Sequence, residues 1–515
     1  MRWVTVWLAG LWWSGWVSGF DGLSRQQLAA ICYAQADLLG QQARQLAEQA
    51  EQLAQVRDEL TQVRGEVARL RRRLSRNSGN SSMPPSSDGV LPGQPVPKPK
   101  PKPASRRRGR QPGAPGSALS WTTPDRIVDH RPGGACAGCG RDLATAADTG
   151  VARACQVTDV PLLTTTVTEH RMHAVVCGCA RRAVADPPAE AAADAACVYG
   201  PNLRTLAVYL LVVHAVPVER VGQIITDVTG ARPSAGFVHS LLARTAARLG
   251  RAGQAIRTAI ARCPVVHFDE TPLRVGPAGV RRYVWVAATS RYTLFHLGAR
   301  STAAFTAWGI GRHLSGTVVH DNYCVYDSPD ALPATLTHQL CVAHLLRHLT
   351  DAAEQHPHAT WPATITEALQ ALIHAHHLAR DANQPTIPTD IAAPLLAAYT
   401  QAVTAGLSEL PRHPAGRQPP ARALLELLDE CADDVLRFTT DTRIPPTNNQ
   451  AERDLRPHKT QQKISGRLTS ETTTGHRLTI RGYLSTATKH SRNAMTTLRE
   501  VHLGRPWIPP IPARP

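Results

Sequence analysis

Residues 263–328 decide the reading of this chain. They comprise CPVVHFDETPLRV at 263–275, RRYVWVAATSRYTLFHLG at 281–298 and GTVVHDNYCVYDS at 316–328. Val265, Val266 and Phe268 form a short apolar run of strand-forming residues that ends on Asp269. Residues 281–289 and 292–297 are two further runs, and Ser290-Arg291 between them spaces a hairpin. Residues 301–313 suit a helix, after which Thr317, Val318 and Val319 make another strand that ends on Asp321. Two strands thus each deliver a carboxylate at a C-terminal end, the edge of an open α/β sheet where ligands and metals collect. A third acid, Glu452, stands in NNQAERDLRP just after a helix start at Asn448 or Asn449.

A lone Asp after a strand is usually a turn or cap residue. Acids from strand, strand and helix together point instead to hard cations. Mg2+ takes oxygen ligands and is held by few carboxylates plus water and substrate phosphate. A pair of such ions suits phosphoryl transfer, in which an attacking oxygen is activated and a leaving one stabilised.

At 515 residues the chain is long enough for several domains. A net charge of +17 and a pI near 9.8 favour a polyanionic partner, nucleic acid before membrane. Eleven cysteines are too few for a disulfide scaffold, and four of them cluster with metal-ligand spacing, which fits a reducing compartment. The first stretch, MRWVTVWLAGLWWSGWVSGF, has the apolar character of a signal peptide or short anchor. It lacks a small-x-small cleavage site and is interrupted by Gly and Ser, so residues 1–22 are read as an extension from a start placed too far upstream. Membrane association is the lesser reading, and the expected location is the cytoplasm, with the nucleoid.

Residues 23–75 read as a coiled coil. Leu39, Leu46, Leu53, Leu60, Val67 and Leu74 recur every seven residues, with Val56, Val63 and Leu70 at the complementary position. That seam predicts a homo-oligomer. Residues 76–120 form a basic, Pro-rich linker that cannot build a core; Arg106, Arg107, Arg108 and Arg110 in it suit DNA phosphates. Residues 121–198 carry Cys136-Ala-Gly-Cys139 and Cys177-Gly-Cys179, four thiolates for a structural Zn2+ in a zinc-ribbon-like domain. Cys155 and His173 are alternative ligands. Residues 199–260 are helical, and the Gly230 stop followed by a Ser234 N-cap resembles a helix-turn-helix whose second helix presents His239, Ser240 and Arg244. The catalytic core is expected over 261–348 and 441–460, a helical insertion over 349–440, and a basic helical region over 461–515. Cys341 and His344 in CVAHLLRHL read as core and phosphate-facing residues rather than as metal ligands.

The succession of a leucine-repeat helix, RNSGNSSMPPSSD, RRRGRQPGAPG, the Cys-rich segment, HFDET, VVHDNYCVYD, CVAHLLRHL and NNQAERDLRPHKTQQKISGRL resembles the insertion-sequence-66 family of bacterial transposases. The resemblance implies a DDE transposase on a ribonuclease-H-like core, with Asp269, Asp321 and Glu452 as its acids. It implies Mg2+ (two ions, or Mn2+), double-stranded DNA as partner at transposon ends and target, and strand cleavage followed by strand transfer. Helper proteins of the same element are a further expected partner. Arg453 and Arg456, one and four residues after Glu452, and Lys459 and Lys463 beyond them are expected to meet DNA. Arg456 shares the helix face of Glu452, where it supports the carboxylate or meets a phosphate. Glu270, Asp327 and Asp454 are expected to be supporting acids, and Asn448 and Asn449 to cap their helix. Two alternatives use the same residues: a ribonuclease-H-like nuclease that cuts without joining, and a zinc-containing DNA-binding remnant without activity. Against the family pattern stand the hydrophobic start and the compressed C-G-C pair.

Overall fold

The computed structural model describes residues 22–75, 120–160, 163–186, 188 and 197–513. The expected hydrophobic start and the linker arginines Arg106, Arg107, Arg108 and Arg110 lie outside the described residues. Helix α1 (Arg25–Ser75) belongs to one compact unit, and the described chain from residue 120 onward belongs to a second. In α1 the seam side chains Leu39, Leu46, Leu53, Val56 and Leu60 are all exposed, because a single helix has nothing of its own to cover a heptad stripe.

In the second unit, strands β1 (Ala174–Val176) and β2 (Arg182–Val184) pair antiparallel. Four helices follow: α2 (Pro201–Val212), α3 (Val218–Thr229), α4 (Ala235–Arg248) and α5 (Gly250–Ala261). The turn between α3 and α4 forms as its residues dictate. Gly230 takes the left-handed conformation at φ 75°, and the Ser234 side chain accepts the Phe237 N–H.

A five-stranded mixed sheet comes next, built of β3 (Val265–Leu273), β4 (Arg282–Ala288), β5 (Thr293–Gly298), β6 (Thr317–His320) and β7 (Thr337–Leu340), with α6 (Thr302–Trp308) leading to β6. Its spatial order is β5-β4-β3-β6-β7. The β3–β4 and β4–β5 pairs are antiparallel, whereas β3–β6 and β6–β7 are parallel. β3 does not end on Asp269 as its apolar run suggests. Antiparallel pairing carries it on to Leu273, opposite Arg282, while parallel pairing with β6 stops at His267 opposite Val319. Asp269 therefore sits in mid-strand, at the C-terminal end of the parallel half.

Beyond β7 come α7 (Val342–Gln355), α8 (Trp361–Asp381), α9 (Thr389–Glu409), α10 (Pro420–Glu430) and α11 (Ala432–Leu436). This helical insertion has a core of its own, including Leu345, Trp361, Leu369, Tyr399, Leu425 and Phe438. Among the described residues α9 alone is long and apolar enough to cross a membrane. It packs in the insertion core, where Tyr399 donates to the Leu428 carbonyl at 2.7 Å. The chain then returns to the sheet as α12 (Asn449–Ile464), α13 (Glu471–Lys489) and α14 (Ala494–His502).

Alternation along the strands divides two cores between the sheet faces. Trp285 and Ala287 of β4 join Val266, Phe268 and the helices α2–α5, α13 and α14. Val284, Val286 and Ala288 face the other way, with Ala451 and Leu455 of α12. The basic tail is thus part of the main core rather than an appendage.

Candidate active site

The parity that sorts the apolar residues also sorts the acids. Asp269 alternates with Leu273 of the α12-side core, and Asp321 follows Val319, the residue paired with His267 across the parallel strands. Two residues beyond that pair on both strands, Asp269 and Asp321 fall on one face, and α12 brings Glu452 to the same face from above. The electrostatics agree. Burial, then Glu270 and Asp321, with a smaller contribution from Glu452, hold the Asp269 carboxyl well above the usual carboxylate range. Burial and Glu270 push Asp321 up to about 7, against the opposing pull of Arg300. Oδ1 of Asp321 is buried without a hydrogen-bond partner among the described residues.

The segment before α12 is pinned to the sheet. Asn448 occupies the N-cap position, yet its side chain makes no cap, contrary to expectation. Its amide instead reaches into the sheet, where Nδ2–H donates to the Phe268 carbonyl at 2.6 Å and Oδ1 accepts from His267 Nδ1 at 3.0 Å. Its backbone N–H points at the Cys341 Sγ, 3.2 Å away. Burial holds His267 down to about 4, so the ring stays neutral beside this amide. Cys341 is buried, and His344 is half-buried, its ring held down to about 4 by burial.

The cation beside Glu452 is Arg347 of α7, at 3.8 Å, rather than Arg456. Arg453, Arg456, Lys459 and Lys463 are all exposed, while Ala451, Asp454, Leu455, His458 and Gln461 form the buried side of α12. Glu452, Arg456, Lys459 and Lys463 follow one another at helical spacing along one stripe. Arg244 is also exposed, on α4, where it lies over the Phe237 ring at 5.4 Å.

The neighbouring acids Glu270 and Asp454 are each paired with a cation. Glu270, with a side chain 2% exposed, is paired with Arg300 at 2.7 Å and accepts the Tyr326 hydroxyl at 2.8 Å. Asp454 is buried in an ion pair with Lys489 at 2.6 Å. Arg300 and Lys489 carry no motif, and Arg347 stands in CVAHLLRHL without a signal for its partner, so tertiary placement alone shows which acids they meet.

Each cysteine pair occupies a tight turn. Gly140 N–H donates to the Cys136 carbonyl at 2.8 Å, and Ala180 N–H to the Cys177 carbonyl at 2.8 Å between β1 and β2. Backbone N–H groups directed at sulfur hold Cys136 and Cys177 below the ordinary thiol range. Among the described residues, only His320, Asp327 and His338 form a group of three or more potential ligands whose atoms all lie within 4.8 Å of one another. The four cysteines and the three acids do not approach that closely.

Residues 196–477, more than half of the chain, match the transposase IS66 family, and the chain belongs to that family. Residues 36–120 match a family of unknown function (DUF6444), which spans much of the leucine-repeat helix and the basic linker. No curated protein matches the chain.

Proposed function

We propose that this protein is a DDE transposase that binds the ends of its insertion sequence and catalyses magnesium-dependent strand cleavage and strand transfer. The observation that carries the reading is the gathering of Asp269, Asp321 and Glu452 on one sheet face from β3, β6 and α12. The sheet order supports a ribonuclease-H-like core: three antiparallel strands, then two parallel ones added beside the first, with the helical insertion before the third acid.

The residues fit divalent ions. Asp321 Oδ1 is a buried acceptor without a donor among the described residues, and Asp269 is held well above the usual carboxylate range by burial first and then by the neighbouring Glu270 and Asp321, both of which a bound cation would offset. Asp269, Asp321 and Glu452 would hold two Mg2+ or Mn2+ ions, whose chemistry would be activation of an attacking oxygen and neutralisation of phosphate charge. Asn448 fixes the start of α12, and through it the position of Glu452. Arg456, Lys459 and Lys463 continue outward from Glu452 as a row of phosphate contacts, with Arg453 beside them and Arg244 on α4 as a separate one. The linker arginines Arg106, Arg107, Arg108 and Arg110 are further phosphate contacts, read from their sequence alone. Cys136, Cys139, Cys177 and Cys179 would hold a structural Zn2+ if their two turns close on it, and the lowered Cys136 and Cys177 thiols suit ligation. The exposed seam of α1 pairs with a second copy of the chain.

The test is joining of labelled element ends to a supercoiled target, with Mg2+ and with EDTA. Asp269→Ala, Asp321→Ala and Glu452→Ala are each expected to abolish cleavage and joining while DNA binding persists. Retained cleavage in one of them removes that residue from the site. Cutting without joining by the wild type turns the reading to a nuclease, and binding alone to an inactive remnant.

A further inference from the structure

On the face of the sheet opposite the acids lies a second set of ligating groups that the proposed reaction does not use. His320 ends β6, His338 is in β7, and Asp327 stands in the loop between them. One ligand atom from each lies within 4.8 Å of the other two. His320 is fully buried, His338 half-buried and Asp327 exposed, so the set opens to solvent on one side only.

The hydrogen bonds assign the tautomers. His320 Nδ1 meets the backbone carbonyl of Asp321, which only accepts, so the proton is on Nδ1 and the lone pair on Nε2. That Nε2 faces His338 Nδ1 at 2.8 Å, and His338 Nδ1 donates to it. An imidazole whose Nδ1–H is fixed by a carbonyl and whose Nε2 carries the lone pair is in the tautomer in which histidine ligates a metal; here that lone pair accepts from His338 until an ion replaces the proton. The His320 ring is held by Tyr326, with centroids 4.8 Å apart, and the His338 backbone carbonyl accepts from Arg437 at 2.8 Å. The His320 ring and the His338 backbone are thereby placed by groups outside the cluster.

We propose that His320 Nε2, His338 Nδ1 and the Asp327 carboxylate form a Zn2+ site that clamps β6, the following loop and β7 together behind Asp321. Two imidazoles and a carboxylate select a borderline ion such as zinc over Mg2+, which prefers oxygen throughout. Ligand bonds of about 2.0–2.1 Å in tetrahedral geometry place donor atoms some 3.3–3.5 Å apart. The two ring nitrogens open slightly to reach this, and exposed Asp327 closes in by side-chain rotation. On binding, the His338 proton moves from Nδ1 to Nε2 and Nδ1 becomes a ligand, so no proton is lost from the protein. Three protein ligands leave a fourth position for water.

The experiment uses the full chain, stripped with a chelator, reloaded with Zn2+ and freed of excess metal. Bound zinc per chain is measured in wild type, His338→Ala, Asp327→Asn and a Cys136→Ser/Cys139→Ser variant. The expected result is one fewer zinc per chain in each of the first two variants, with that zinc retained in the cysteine variant. Co2+ loaded in place of zinc is expected to show visible bands that survive in the cysteine variant and vanish in His338→Ala. Equal zinc in wild type, His338→Ala and Asp327→Asn overturns the proposal and leaves the two histidines as a hydrogen-bonded pair. Loss in His338→Ala with circular dichroism showing an unfolded chain, and no loss in Asp327→Asn, overturns it too. No DNA or Mg2+ enters the measurement, so its outcome is separate from that of the transposase reading.

Discussion

Lys489→Met is expected to be among the most destabilising single changes outside the apolar cores. Lys489 Nζ, on a side chain 12% exposed, lies 2.6 Å from Asp454 Oδ2, on a side chain 8% exposed. The same ammonium donates to the Thr289 carbonyl at 2.8 Å and to Thr293 Oγ1 at 2.7 Å. Burial lowers its pKa, opposed by the charge of Asp454 and the hydrogen bond to it. The network joins α12, which bears Glu452, to the β4–β5 turn and α13. Removing the lysine leaves a buried carboxylate without its cation, a loss of about 3–5 kcal/mol. Replacing both partners, in Lys489→Met/Asp454→Leu, removes the charge as well and should recover about half of that or more. Urea unfolding of the four members of the cycle, followed by tryptophan fluorescence, gives the coupling energy. A loss below about 1 kcal/mol for Lys489→Met, or single effects that add to within about 0.5 kcal/mol, would refute the reasoning.

Three further outcomes follow from other parts of the chain. Gly316→Ala should destabilise the sheet by about 2–4 kcal/mol, because Gly316 has φ 97° and a Cβ there would lie 2.4 Å from the Pro264 carbonyl oxygen; thermal unfolding measures this. Burial holds His458 down to about 3 and His502 down to about 4, from an ordinary value of 6.5. Below pH 6.5 the unfolded chain takes up protons that the native state refuses, so stability falls as pH falls from 6.5 towards 4. It is flat above that window with respect to these groups, and the slope within it is about 1.4 kcal/mol per pH unit for each histidine. His458→Phe, which keeps a ring against Phe295, should remove one histidine's share in urea titrations at pH 7 and pH 5. Leu46→Lys/Leu53→Lys should convert an oligomer to monomer by light scattering without changing unfolding of the second unit, since both leucines are exposed on α1; unchanged mass would remove this helix from self-association.

The sequence by itself determined the local structure and pointed to three candidate acids. Short β-branched runs, the Ser290-Arg291 spacer, the Gly230 stop and the Ser234 cap are local signals with local causes, and the strands, hairpin and helices form there. Asp269, Asp321 and Glu452 were legible because each stands at a recognisable place within a motif. Tertiary structure alone decided what surrounds them. Asn448 looks like a cap in sequence, but the nearness of β3 offers its amide His267 and Phe268, 181 and 180 residues away along the chain. Arg347 reaches Glu452 from CVAHLLRHL, and Lys489 reaches Asp454 from a helix of scattered basic residues, and neither local sequence says which acid its cation meets. His320, Asp327 and His338 gather for the same reason: the parallel pairing of β6 with β7 is set by a register between separate strands, which no local pattern encodes.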